Sequence, residues 1–79
     1  MPEIFRFYGF SFFFFSREHE PIHIHVEGAE GKAKFDYENG EFVQKEVYNI
    51  KSNDLKRIKE VIDDNKEVIV KHWNRYFGG

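Results

Sequence analysis

Ile22 to Glu27 alternates without a break: Ile22, Ile24 and Val26 fall on one face of an extended chain, and His23, His25 and Glu27 fall on the other. Lys32 to Tyr37 alternates again, with Ala33, Phe35 and Tyr37 opposing Lys32, Lys34 and Asp36. Gly28 to Gly31 lies between the two runs as a turn. Two alternating runs joined by a short glycine-bounded turn form a β-hairpin, which commits the chain to an antiparallel sheet with one apolar and one polar face.

The remaining strands are placed around that hairpin. Ile4 to Tyr8 and Phe10 to Ser16 are rich in strand-favouring aromatics and are separated at Gly9, where a bulge or tight turn suits a residue without a Cβ. Ser16 to Pro21 breaks the pattern and reads as a loop, because Pro21 cannot donate to a central ladder. Asn39-Gly40 signals a type I′ turn, so a fifth strand from about 42 to 48 follows, although its alternation is poor.

From Ser52 the period changes. Leu55, Ile58, Ile62, Ile69, Trp73, Tyr76 and Phe77 recur at helical spacing with charged residues between them, which predicts an amphipathic helix over about 53–77. Ser52 or Asn53 can cap it, Asp54 suits the positive end of the dipole, and Gly78 suits the stop. The spacing carries through Asn65 and so favours one helix, roughly 39 Å long if it has about 26 residues. A small five-stranded sheet cannot cover that length. Either the end overhangs, leaving Trp73, Tyr76 and Phe77 to meet a partner or a second copy of the chain, or the helix breaks near Asp63-Asp64-Asn65 and folds back. The expected class is α+β, one domain over residues 1–79, with an antiparallel sheet of four or five strands and a long C-terminal helix packed on one face.

Composition narrows the setting. With 79 residues the chain holds one core and buries only about 60 to 65% of its unfolded surface. Ten phenylalanines, four tyrosines and Trp73 compensate, since each aromatic buries roughly 150 to 250 Å². Phe12 to Phe15 places rings on both sides of one strand, as a two-sided core or a dimer seam would require. There is no cysteine, which removes disulfides and thiolate zinc sites and fits a reducing, cytoplasmic setting. Met1-Pro2-Glu3 lacks the features of a signal peptide, and no apolar run is long enough to span a bilayer. A formal charge of −2 argues against a protein that coats nucleic acid by bulk electrostatics.

A simple hairpin about Gly28 to Gly31 pairs Glu27 with Lys32, His25 with Lys34 and His23 with Asp36 on the polar face. Three readings fit this constellation. It is a solvated sheet face; or it binds a divalent metal such as zinc through His23 and His25, with His19, Glu18 or Asp36 completing the shell; or it performs general acid–base chemistry. In the last reading the imidazoles of His23 and His25 move protons, Asp36 holds His23 in one tautomer, and Lys34 stabilises an anionic transition state. Cleavage of an RNA phosphodiester needs those three services and no cofactor. His72, beside Trp73 on the helix, reads as a surface or packing residue.

The chain also resembles a known family. Met1-Pro2-Glu3-Ile4, Arg6, Gly9, the aromatic run ending at Ser16, then His19, Pro21 and His23-Ile24-His25-Val26 are similar to the bacterial domain-of-unknown-function family number 4160. The likeness continues through Leu55, Asn65-Lys66-Glu67, Trp73-Asn74 and Tyr76-Phe77-Gly78 and covers nearly the full length. Its members are tiny bacterial proteins often encoded beside another small protein, an arrangement that suggests toxin–antitoxin pairs. The resemblance singles out Arg6, His19, Pro21, His23 and His25. Where the family usually shows Asn-Asp before the first histidine this chain has Arg17-Glu18, so any ligand or orienting role there rests on Glu18.

The expectation is therefore a toxin–antitoxin-type protein acting on RNA through His23 and His25, with Lys34 and Arg6 as anion-binding groups and a small cognate protein encoded nearby. The alternative is a non-catalytic interaction module in which Trp73, Tyr76 and Phe77 dock a partner and the histidines are structural or bind metal.

Overall fold

The computed structural model describes residues 3–14 and 21–78. Five antiparallel strands, β1 (Glu3–Phe7), β2 (Phe10–Phe13), β3 (His23–Glu27), β4 (Lys32–Glu38) and β5 (Glu41–Tyr48), lie in sequence order in one sheet. Two helices follow, α1 (Ser52–Asp64) and α2 (Lys66–Phe77). The class is α+β, as the pattern of alternation and helical period requires.

Strand order follows from the turns. Tyr8-Gly9 and Asn39-Gly40 both take positive φ at each residue, the geometry of two-residue type I′ turns, so β1–β2 and β4–β5 are tight hairpins. The β3–β4 hairpin has the register that alternation predicts: His23 opposes Asp36, His25 opposes Lys34 and Glu27 opposes Lys32. Gly31 is required there by close approach, because a Cβ would collide with the carbonyl groups of Tyr48 and Asn49 at the end of β5.

The fifth strand alternates poorly in sequence for a structural reason. Phe35 pairs with Gln44 but Lys34 pairs with Glu46, so Lys45 is an extra residue, a β-bulge. Ahead of it Phe42 and Gln44 share the core side with Tyr37 and Phe35; beyond it Val47 takes that side opposite Ala33. The parity of the strand thus reverses at the bulge.

One hydrophobic cluster joins Phe12, Ile24, Val26, Ala33, Phe35 and Phe42 from the sheet, and Phe14 just past β2, to Ile58, Val61, Ile62, Ile69 and Trp73 from both helices. The helical segment is not continuous, which corrects the preference for one long helix. At Asn65 (φ −116°, ψ 18°) the backbone leaves the helical region, and the side-chain amide donates to the Val61 carbonyl at 2.8 Å. That local bond competes with the regular ladder, while the Asn65 carbonyl accepts from the Ile69 N–H at 2.9 Å and starts α2. A single residue intervenes, so the apolar period survives the break. Ser52 and Asn53 are the first helical residues and do not cap; the N-cap is Lys51, with no side-chain capping bond.

The break also changes the place of the C-terminal aromatics. Trp73 is 1% exposed and packs edge-on to Phe14 at 5.1 Å, so it is a core residue and not a free anchor on an overhanging end. Phe77 is partly buried against Trp73, at 4.3 Å between ring centroids. Of the three, only Tyr76 is open, at 51% exposure. No helix among the described residues is long and apolar enough to cross a membrane.

Candidate functional site

The sheet face opposite the core is read row by row from the register. One row runs Phe13, His25, Lys34, Glu46 across β2 to β5, and the next runs Arg6, Ser11, Glu27, Lys32, Tyr48 across all five strands. His23, Asp36 and Val43 form a third. A concave groove of about 640 Å³ lies over the β3–β5 part of the first two rows and reaches His23, walled by His23, His25, Lys34, Lys45, Glu46 and Tyr48 among others.

His23 is 7% exposed, a buried histidine at the first position of β3. Its ring lies 5.2 Å from that of Trp73, which backs it from α2, and 5.2 Å from His25 in an edge-to-face arrangement. His25 stacks on Phe13, 5.6 Å between centroids with the planes 23° apart. The Nδ1 atom of His23 is 2.7 Å from the carbonyl oxygen of Pro21. A carbonyl can only accept, so Nδ1 carries the hydrogen and in the neutral ring the basic lone pair is on Nε2.

Asp36 does not take the orienting role that its register suggests. Its Oδ1 is buried with no hydrogen-bond partner among the described residues, and the Lys34 ammonium lies 3.6 Å from it. The Pro21 carbonyl fixes the His23 tautomer instead, a job no side-chain pattern could reveal because a backbone atom performs it. Proline at that position leaves a carbonyl to accept and no N–H to compete.

Arg6 shares the face but not the subsite. It lies on β1, three strands from Lys34 and so about 14 Å away across the sheet, and it pairs with Glu3 at 3.2 Å. The Ser11 hydroxyl, also on Glu3, together with Arg6 holds the Glu3 carboxyl below its usual range. Lys45 is the cation that sequence reasoning missed. The bulge turns both Lys45 and Glu46 onto the groove side, where the Lys45 ammonium meets Glu38 at 2.7 Å, and that carboxylate holds it above the usual lysine value. Its signal was the fault in alternation itself. Signs alternate over the face, with Lys32, Lys34 and Lys45 interleaved with Glu27, Asp36, Glu38 and Glu46.

His19 and Glu18, the candidate additional metal ligands, lie outside the described residues. Among the described residues no three His, Cys, Asp or Glu side chains come together as a metal site needs. His23 and His25 could supply two ligands of such a shell.

No curated protein and no solved structure matches the chain. The sequence pattern of one domain of unknown function, DUF4160, matches residues 9–74, a span that takes in β2 to β5, all of α1 and most of α2. The chain belongs to the DUF4160 family.

Proposed function

We propose that this chain cleaves RNA by imidazole acid–base chemistry, as one member of a toxin–antitoxin-type pair whose second member is a small cognate protein. The observation that carries the reading is the His23–His25 pair: two rings 5.2 Å apart on the wall of a groove, one with its tautomer set by a backbone carbonyl. In this scheme His23 Nε2 accepts the proton of a ribose 2′-hydroxyl, whose oxygen attacks the adjacent phosphorus. His25, as the imidazolium, protonates the departing 5′-oxygen, leaving a 2′,3′-cyclic phosphate. Lys34 and Lys45 stabilise the charge that develops on the phosphoryl oxygens.

The interleaved carboxylates set the scale of the substrate contact. A groove of mixed sign does not track a long polyanion, so recognition is confined to one or two phosphates of an unpaired strand. The decisive experiment is cleavage of mixed single-stranded RNA by purified protein at neutral pH, with and without EDTA, beside a His23→Ala plus His25→Ala variant. Wild-type cleavage that survives EDTA and is lost in the variant is the expected result. Loss with EDTA would transfer the chemistry to a metal, and cleavage unchanged in the variant would end the proposal.

The same mixed charge favours a second reading, in which the face docks the cognate protein without chemistry. Reversing Lys34 and Lys45 to glutamate should then abolish co-purification of the pair. RNA of every tested sequence should also stay intact.

A further inference from the structure

We infer that the chain forms a symmetric dimer through the outer edge of β5, in one register that the bulge at Lys45 selects. β5 is the last strand of the sheet, and no described strand flanks its outer side. An edge of unpaired N–H and C=O groups is a template for another strand. The start of β5 is already used, since the Lys59 ammonium donates to the Phe42 carbonyl at 2.9 Å. Val43 to Tyr48 remain, six residues with Val43, Val47 and Tyr48 exposed.

Two copies of one strand related by a two-fold axis normal to the sheet keep their faces: a side chain that points into the groove in one copy points into the groove in the other. Directly opposed residues share a face. In a regular strand this forbids any register centred between two neighbouring residues, because neighbours point opposite ways. β5 is not regular. Val43, Lys45, Glu46 and Tyr48 all face the groove, while Gln44 and Val47 face the core side.

The register centred between Lys45 and Glu46 therefore matches along its whole length. It sets Lys45 against Glu46 of the second copy twice, Val43 against Tyr48 twice, and Gln44 against Val47 twice. Opposite charges meet opposite charges and Val43 meets Tyr48 on the groove side, while the core side sets the polar Gln44 against Val47. A shift by one residue would oppose Lys45 to its own copy and set core-side Gln44 against groove-side Glu46. The second copy is thus the occupant that the charge pattern fits. Its Tyr48 rises beside Val43 at the groove rim, so that the two grooves adjoin across the axis.

The chain has no cysteine, which makes a covalent test clean. Val43→Cys and Tyr48→Cys variants, each alone and mixed, are oxidised mildly and run without reductant. The expected product is a disulfide-linked dimer in the mixture and little in either variant alone. Charge offers a second arm: Lys45→Glu and Glu46→Lys should each weaken the dimer about tenfold in sedimentation equilibrium, since attractive cross-strand pairs become repulsive. Mixing the two variants should restore it, which a merely misfolded variant could not do. Wild-type protein that sediments as a monomer up to submillimolar concentration would overturn the inference, and so would a dimer that cross-links as well in the single variants as in the mixture.

Discussion

β3 and β5 wall the same groove and reach it by opposite means. β3 obeys alternation throughout, so His23, His25 and Glu27 arrive on the polar face because Ile24 and Val26 must face the core. β5 reaches the groove by breaking alternation, and the bulge puts Lys45 and Glu46 side by side where a regular strand would show one of them. The first arrangement is fixed by burial and costs nothing to display. The second is local geometry, of the kind often found beside functional sites, where it re-aims a side chain.

The largest effect that would sharpen this contrast lies behind β3. Trp73→Ala should lower unfolding free energy by about 3–5 kcal/mol in urea denaturation, because it empties a core position and removes the backing of His23. A change within about 0.5 kcal/mol, as at an exposed site, would mean Trp73 is not a core residue. Next in size, Gly31→Ala forces a Cβ onto the backbone at the end of β5 and should cost about 1–3 kcal/mol. Its damage should be concentrated in amide exchange of the β3–β4 turn and of residues 47–49.

Deleting Lys45 tests the parity argument directly. Without it Phe42, Gln44 and Val47 fall on the core side and Val43, Glu46 and Tyr48 on the groove side of an unbroken strand. The deletion variant should fold with stability within about 1 kcal/mol of the parent. Collapse of the fold would show that the bulge is structural.

The smallest effect is at the two charge pairs of the sheet edges, and it is visible only in pH dependence. Glu38 raises the Lys45 value above the ordinary 10.5, so the stabilisation is complete below about pH 10.5 and is lost as pH rises through the raised value. Ser11 and Arg6 lower the Glu3 value below the ordinary 4.5, so that contribution is present above about pH 4.5 and is lost as pH falls through the lowered value. Lys45→Met should flatten the alkaline limb of the stability profile alone, and Ser11→Ala the acid limb alone.

What could be read from the residues divides along the same line. Alternation placed β3 and β4 and their register, and Asn39-Gly40 marked the turn into β5, because burial and positive φ leave traces in residue type. The break at Asn65 was masked, since one intervening residue leaves Ile62 and Ile69 on a common stripe. Its only trace was three successive poor helix formers, Asp63-Asp64-Asn65. Trp73 was legible as part of an apolar stripe, but whether that stripe overhangs depends on the break. The Pro21 carbonyl and the Asp36 oxygen without a hydrogen bond among the described residues depend on atoms, not residue types, and no pattern of letters reports them.

The most direct test of His23 as the base is its tautomer. In protein labelled with ¹⁵N, long-range ¹H–¹⁵N correlation of the His23 ring at a pH where it is neutral distinguishes the protonated ring nitrogen from the bare one. The structure predicts a hydrogen on Nδ1 and a pyridine-type Nε2. A neutral His23 with its hydrogen on Nε2 would contradict the geometry and remove the group proposed to take the proton.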